Sequence, residues 1–226
     1  METSLHRALK LLYAQDEEHT EVLVDGFRID AVSHEQLVEI QHGSLAAIRD
    51  KIGTLLSRHR VLVVKPIVAT KRLVKQDARG GKIISTRLSP KQGQLLDLFD
   101  ELVHFTQVFP HRRLVLEAVL VDVEEWRYPG HGRRRRWRVN DFQIEDQKLI
   151  GVRTTCRLQT SADLRRLLPA DLPRPFHTGH LTELLCIPRC QAQRIAYCLR
   201  NCGAARELGK AGNTRLYELR KPRRAA

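Results

Sequence analysis

The chain has 226 residues, 42% of them apolar, and carries 39 Lys and Arg against 26 Asp and Glu, a formal charge of +13. That length and apolar content suffice for one large domain or two small ones with a proper core. The charge points to a polyanionic partner, nucleic acid first, with a generally basic soluble protein as the alternative. The longest apolar runs fall far short of the ~20 residues of a membrane helix, and the polar start METSLHRALK has no signal-peptide core, so a cytoplasmic protein is expected.

The charge is uneven. Residues 1–68 hold eight Lys and Arg against ten Asp and Glu, leaving 31 against 16 for residues 69–226, so the basicity belongs to the later two-thirds. In chain order, residues 3–14 place Leu5, Ala8 and Leu12 at helical spacing behind a Thr-Ser start, predicting an amphipathic helix. EVLVDG and FRIDAVS read as strands joined by a tight turn at Asp25-Gly26, and LVEIQ reads as a third. Ser44 can cap a helix from Leu45 to about Arg60, with Leu45, Ile48, Ile52, Leu55 and Leu56 on one face. VLVVKPI is a buried strand expected to end at Pro66. Helix, three strands, helix, strand is an α/β unit with a mixed sheet.

Lys71–Gln76 and Lys82–Arg87 predict a basic hairpin, and Ser89-Pro90 the start of a helix reaching about Val103. LVLEAVLVDVEEW and QKLIGVRTTCRL read as strands on either side of a loop that carries Arg133, Arg134, Arg135 and Arg136 beside Trp137. Four consecutive arginines cannot share one strand face, so that loop is either a phosphate-tracking element or a solvated one. SADLRRLLPADLPRP predicts a short helix and a linker, with a domain boundary near residues 169–175.

From Thr178 the order is a short helix, a turn at Ile187-Pro188-Arg189, a longer helix ending before Gly203, and a basic hairpin around Gly209–Asn213. That is a winged helix-turn-helix in order and length. Its recognition helix would present Arg189, Gln191, Gln193 and Arg194 to base edges, and its wing Lys210, Asn213 and Arg215 to phosphates or the minor groove. Protein contact is the other use of such a unit. Cys186, Cys190, Cys198 and Cys202 fall in C-x3-C pairs within 17 residues. Zinc often uses C-x2-4-C pairs, but a helical setting favours buried reduced thiols, and no zinc is expected.

The chemistry-bearing stretch is EVLVDGFRIDAVSHEQLVEIQ. Asp30 lies on one strand and Glu39-Ile40-Gln41 on the next, so two carboxylates and the Ile40 carbonyl could converge on a hard cation. The alternative is that both acids are hairpin-end charges facing water. An acid followed nine residues later by Glu-x-Gln, in this order of elements, resembles the PD-(D/E)XK nuclease superfamily over roughly residues 3–67. The resemblance implies a restriction-endonuclease-like core at residues 1–68, a basic α+β extension at 69–170 packed on it, and a winged helix with basic tail at 176–226. It implies Asp30 and Glu39 as ligands, with Ile40, for Mg²⁺ or Mn²⁺, and Glu21 as an additional upstream acid. Gln41 stands where the family carries lysine; it can hydrogen-bond a water but brings no positive charge, which Lys65 or His42 would have to supply. The implied activity is metal-dependent hydrolysis of DNA phosphodiesters. The other readings are a non-catalytic DNA-binding regulator on the same fold, or an RNA-binding or RNA-processing protein. Many such nucleases act as dimers, and by that analogy alone a homodimer is one option for this chain, whose oligomeric state the sequence leaves open.

Overall fold

The computed structural model describes residues 2–14, 16–130 and 141–220; the arginine run Arg133–Arg136 lies outside them. Thr3 caps α1 (Ser4–Tyr13) by accepting a hydrogen bond from the His6 amide. β1 (Thr20–Val24) and β2 (Phe27–Ser33) form an antiparallel hairpin through Asp25 and Gly26, both at positive φ (49° and 82°), the backbone a two-residue hairpin turn requires. β3 (Gln36–Ile40) continues the meander antiparallel to β2. A single turn of 3-10 helix leads into α2 (Arg49–Leu55), which crosses over so that β4 (Arg60–Gln76) returns parallel to β3.

β4 does not stop at Pro66. Val64 gives its carbonyl to the Gln41 amide on the β3 side, so the missing N–H of Pro66, two residues on, faces the same side beyond the end of β3. No ladder bond is lost, and β4 runs on through position 68, so the first and middle segments share one sheet. β5 (Ile83–Leu88) pairs with the far end of β4, β6 (Leu114–Pro129) runs parallel to β4, and β7 (Phe142–Leu158) closes the edge antiparallel to β6. The result is a mixed seven-stranded sheet ordered β1-β2-β3-β4-β6-β7, with β5 also on β4.

The helix expected from Pro90 begins later. The Ser89 and Gly93 amides donate to the Lys71 and Val68 carbonyls, holding that segment extended against β4. A capping box of Gln94 and Asp97 then opens a 3-10 turn that passes into α3 (Leu98–Leu102). α4 (Thr178–Leu185) and α5 (Arg189–Asn201) follow the sheet, and β8 (Ala205–Ala211) and β9 (Thr214–Leu219) form a separate hairpin.

Two cores flank the sheet. On one face Leu5 and Leu9 of α1 pack on Ala31, Val38, Ile40 and Val64. On the other, α2, α3 and α5 bring Ile52, Phe99, Leu102, Ile195 and Leu199 onto Val61, Val63 and Leu116. Each such side chain, fully buried, contributes roughly 1.5–3 kcal/mol. The second core runs without a break from the sheet through α3 into α5, so the C-terminal helices are packed on the sheet unit. Among the described residues no helix is long and apolar enough to cross a membrane.

Candidate functional site

Side chains on a regular strand alternate faces. Val38 and Ile40 lie in the core under α1, which leaves Glu39 to the α2 side. β2 breaks the rule: Ile29 sits in the core under α2, yet Ala31, two residues on, sits under α1. The alternation slips at Asp30. Opposite it on β1, Glu21 takes positive φ (57°) between the pairs Thr20–Ala31 and Val22–Ile29. Such a backbone in a non-glycine residue costs on the order of 1 kcal/mol and marks a corner shaped by its surroundings.

The slip turns Asp30 toward α1. Its Oδ2 accepts the Ile40 amide (2.7 Å), and its Oδ1 lies 3.0 Å from His6 Nε2 and 3.4 Å from Lys10 Nζ. Burial opposes ionisation of Asp30, but these donors outweigh it and hold the carboxyl below its usual range. Glu39 is met from the other face by Lys51 of α2, Nζ to Oε2 2.7 Å. Its pKa is raised, chiefly by burial and further by the Asp30 charge. The acids expected to converge on one cation are therefore engaged from opposite faces by different cations. Three carboxylates do converge, those of Glu2 (2.9 Å), Glu21 and Asp30, but on the ammonium of Lys10. Arg28 also pairs with Glu21. Among the described residues no group of three or more His, Cys, Asp or Glu side chains is placed to hold a metal ion.

Gln41 turns away from the acids and donates its side-chain amide to the Ser44 carbonyl (2.9 Å). Lys65 donates to the His42 and Gly43 carbonyls (2.9 and 2.5 Å), so it braces that turn and does not reach Asp30 or Glu39. His42 packs beside the His6 ring with its Nε2 buried and unpartnered; burial and the His6 and Lys65 charges hold its pKa down to about 4. Lys10 and Lys51, the cations at the corner, give no signal in the sequence beyond helical position.

The second cluster lies on α5 and the hairpin. A helix brings residues about four apart onto one stripe, and Arg189, Gln193, Tyr197 and Arg200 line a cleft of about 330 Å³ opposite Asn213, Thr214 and Arg215 of β9 and its turn. Arg200 and Arg215 share one carboxylate, Glu207 (3.1 and 3.7 Å). Lys210 is exposed at the end of β8. Gln191 and Arg194 do not belong to this face. Gln191 is buried and donates to Asp97, and Arg194 pairs with Asp100 at 2.9 Å, so both tie α5 to the α3 region. Tyr197, exposed among the arginines, was legible from its spacing of four from Gln193 and eight from Arg189.

The cysteines divide. Cys198 and Cys202 are buried in the core, where burial pushes both thiols up, Cys202 to about 12, while Cys186 and Cys190 are exposed. The His177 and His180 rings stack on each other, and His177 caps α4.

A family described as a domain of unknown function, DUF8091, matches residues 3–159. The chain belongs to the DUF8091 family. The match spans α1 to the end of β7 and stops before the C-terminal helices. A protein of Treponema pallidum (strain Nichols) described as uncharacterized is 29% identical over 223 residues, covering 98% of this chain and 86% of the relative. That likeness therefore extends beyond the DUF8091 region into α4, α5 and the hairpin. No solved structure matches the chain.

Proposed function

We propose that the protein binds duplex DNA through the open face of α5 and the β8–β9 hairpin, used as a winged helix-turn-helix. The observation that carries this reading is the stripe of Arg189, Gln193, Tyr197 and Arg200 facing Asn213 and Arg215 across an open cleft. Arginine forks suit phosphate oxygens and guanine edges, and Gln and Asn suit adenine. Lys210 at the hairpin tip extends the same basic surface. Under this reading α5 enters the major groove and the hairpin meets the backbone.

The order of elements in the sheet unit, α1, β1–β3, α2 and a β4 parallel to β3, supports reading it as a PD-(D/E)XK-like core. Its acids do not fit the Mg²⁺ or Mn²⁺ that such a core implies. Both Asp30 oxygens and one Glu39 oxygen already accept from protein donors, Lys10 and Lys51 neutralise them, and Gln41 is turned to Ser44. Binding without cleavage is the function this arrangement favours. Metal-dependent cleavage is the second reading, supported by that order of elements and by the register that brings Asp30 beside Glu39.

Fluorescence anisotropy with a labelled 25-base-pair duplex (about 25, two to three helical turns) separates these readings when run beside plasmid incubation with Mn²⁺. The expected result is salt-dependent binding with intact plasmid. Nicking that disappears in Glu39→Gln would establish the second reading. Absence of binding at low salt would remove the first.

A further inference from the structure

The corner where β2 slips gathers three carboxylates around one buried ammonium. Lys10 is 5% exposed although it lies in the last turn of a helix that ends at the surface. Its ammonium meets Glu2 at 2.9 Å, Glu21 in direct contact and Asp30 at 3.4 Å. An ammonium has three N–H donors and no acceptor, so three carboxylates match its capacity. Three acids this close would otherwise repel one another and raise their own pKa values. Glu2 and Asp30 are instead both held below their usual range, with Lys10 among the causes for each.

We infer that the Lys10 ammonium is a resident counter-ion that takes the place of a divalent cation among Glu2, Glu21 and Asp30 and closes this corner to metal. A lysine here does the metal's electrostatic work, compensating the carboxylates, without its Lewis acidity: it offers no coordination position to a phosphate oxygen or a water. The site is roomy enough for the exchange to be seen. A cleft of about 450 Å³ opens directly over it, bordered by Glu2, His6, Lys10, Glu21 and His42. With the ammonium removed, Arg28 still pairs with Glu21, and His6 and the Ile40 amide still hold Asp30, so a divalent ion arriving from solvent would have to displace one of these donors to gain the oxygen-rich shell that hard cations take. Loss of DNA binding at the C-terminal face would leave this inference untouched, because the two regions share no residue.

The test is Mn²⁺ binding by the full chain, followed by calorimetry and by Mn²⁺ electron paramagnetic resonance, in wild type and Lys10→Ala. Wild type should bind no Mn²⁺ at this corner up to about 1 mM, the weak end of protein oxygen sites. Lys10→Ala should bind at least tenfold more tightly, and its thermal midpoint should rise with Mn²⁺ while that of wild type stays fixed. Wild-type binding that disappears in Glu21→Gln would overturn the inference, as would a folded Lys10→Ala that binds no better than wild type. Lys10→Met keeps the aliphatic stem and is the second variant. If both variants are unfolded in metal-free buffer, recovery of folded circular dichroism on adding Mn²⁺ supports the inference, and failure to recover counts against it.

Discussion

Two charged regions of this molecule use their charges in opposite ways. At the β2–β3 corner each acid has a cation: Asp30 has Lys10, with the His6 ring as a further hydrogen-bond partner, Glu21 has Lys10 and Arg28, and Glu39 has Lys51. On the α5–hairpin face two arginines share the single Glu207, and among the described residues no carboxylate pairs with Arg189 or Lys210. A half-buried group must find its partner inside the protein, because an unpaired charge there is strongly destabilising. An exposed arginine is solvated already and can exchange water and counterions for a phosphate. The corner is thus organised for folding, and the C-terminal face keeps the exposed charge on which the proposed DNA binding rests.

Breaking the corner should have the largest effect. Asp30→Ala removes a partner of Lys10 and His6 and leaves the Ile40 amide without its acceptor. The expected loss is about 3 kcal/mol, between the cost of one unsatisfied donor and that of a broken buried pair. Urea melts measure it, and a loss below about 1 kcal/mol would mean that the corner is not held by these interactions.

The pH dependence of the same corner comes next. His42 is held down to about 4, so as pH falls through 6.5 the unfolded chain takes up a proton that the folded one refuses. Stability therefore declines between pH 6.5 and about 4, and this group contributes no slope above or below that window. The decline should be roughly 2 kcal/mol after allowance for partial exposure. His42→Phe should flatten the profile across the window; an unchanged slope would place the titration elsewhere.

The C-terminal face is tested by contrast within one helix. Arg189→Ala with Arg215→Ala should weaken duplex binding about tenfold and reduce the salt slope by roughly 2, close to one for each phosphate that is no longer neutralised. Arg194→Ala should leave affinity within about twofold, because that side chain is spent on Asp100. Equal losses in the two variants would erase the distinction between the faces of α5.

How far the chain could be read in advance follows the same division. Local rules held where local forces decide. The periodicity of α1, the Asp25-Gly26 turn and the apolar strands are all where their spacing puts them. The inward positions Ala192, Ile195, Ala196 and Leu199 of α5 are buried as their stripe requires. Tertiary packing decided the rest. Helical spacing alone points Gln191 and Arg194 outward, but the α3 region buries Gln191 against Asp97 and gives the exposed Arg194 a partner in Asp100. A proline is expected to end a strand, yet the missing donor of Pro66 falls where β3 has already finished. The slip turns the Asp30 carboxylate to the α1 side while Glu39 faces α2, so the adjacent strands do not bring the two acids to one cation, and no residue type in FRIDAV announces it. Lys10 and Lys51 look like ordinary helix-surface lysines in the sequence, since only the fold brings α1 and α2 against those acids.

The smallest effect sharpens the comparison most. Gln41→Lys restores the residue that a nuclease of this resemblance would carry. Gln41 donates its side-chain amide to the Ser44 carbonyl, and a lysine ammonium can reach the same acceptor, so stability should change by less than about 1 kcal/mol. If the missing lysine were all that separated this corner from a cutting one, the substitution should produce Mn²⁺-dependent nicking of plasmid. It should not, because the new charge leaves Lys10 among Glu2, Glu21 and Asp30 and leaves Lys51 on Glu39. Plasmid left intact by Gln41→Lys but nicked by Gln41→Lys with Lys10→Ala would locate the block at the ammonium. Nicking by the single variant would move it to position 41 and reverse the roles assigned to these two residues.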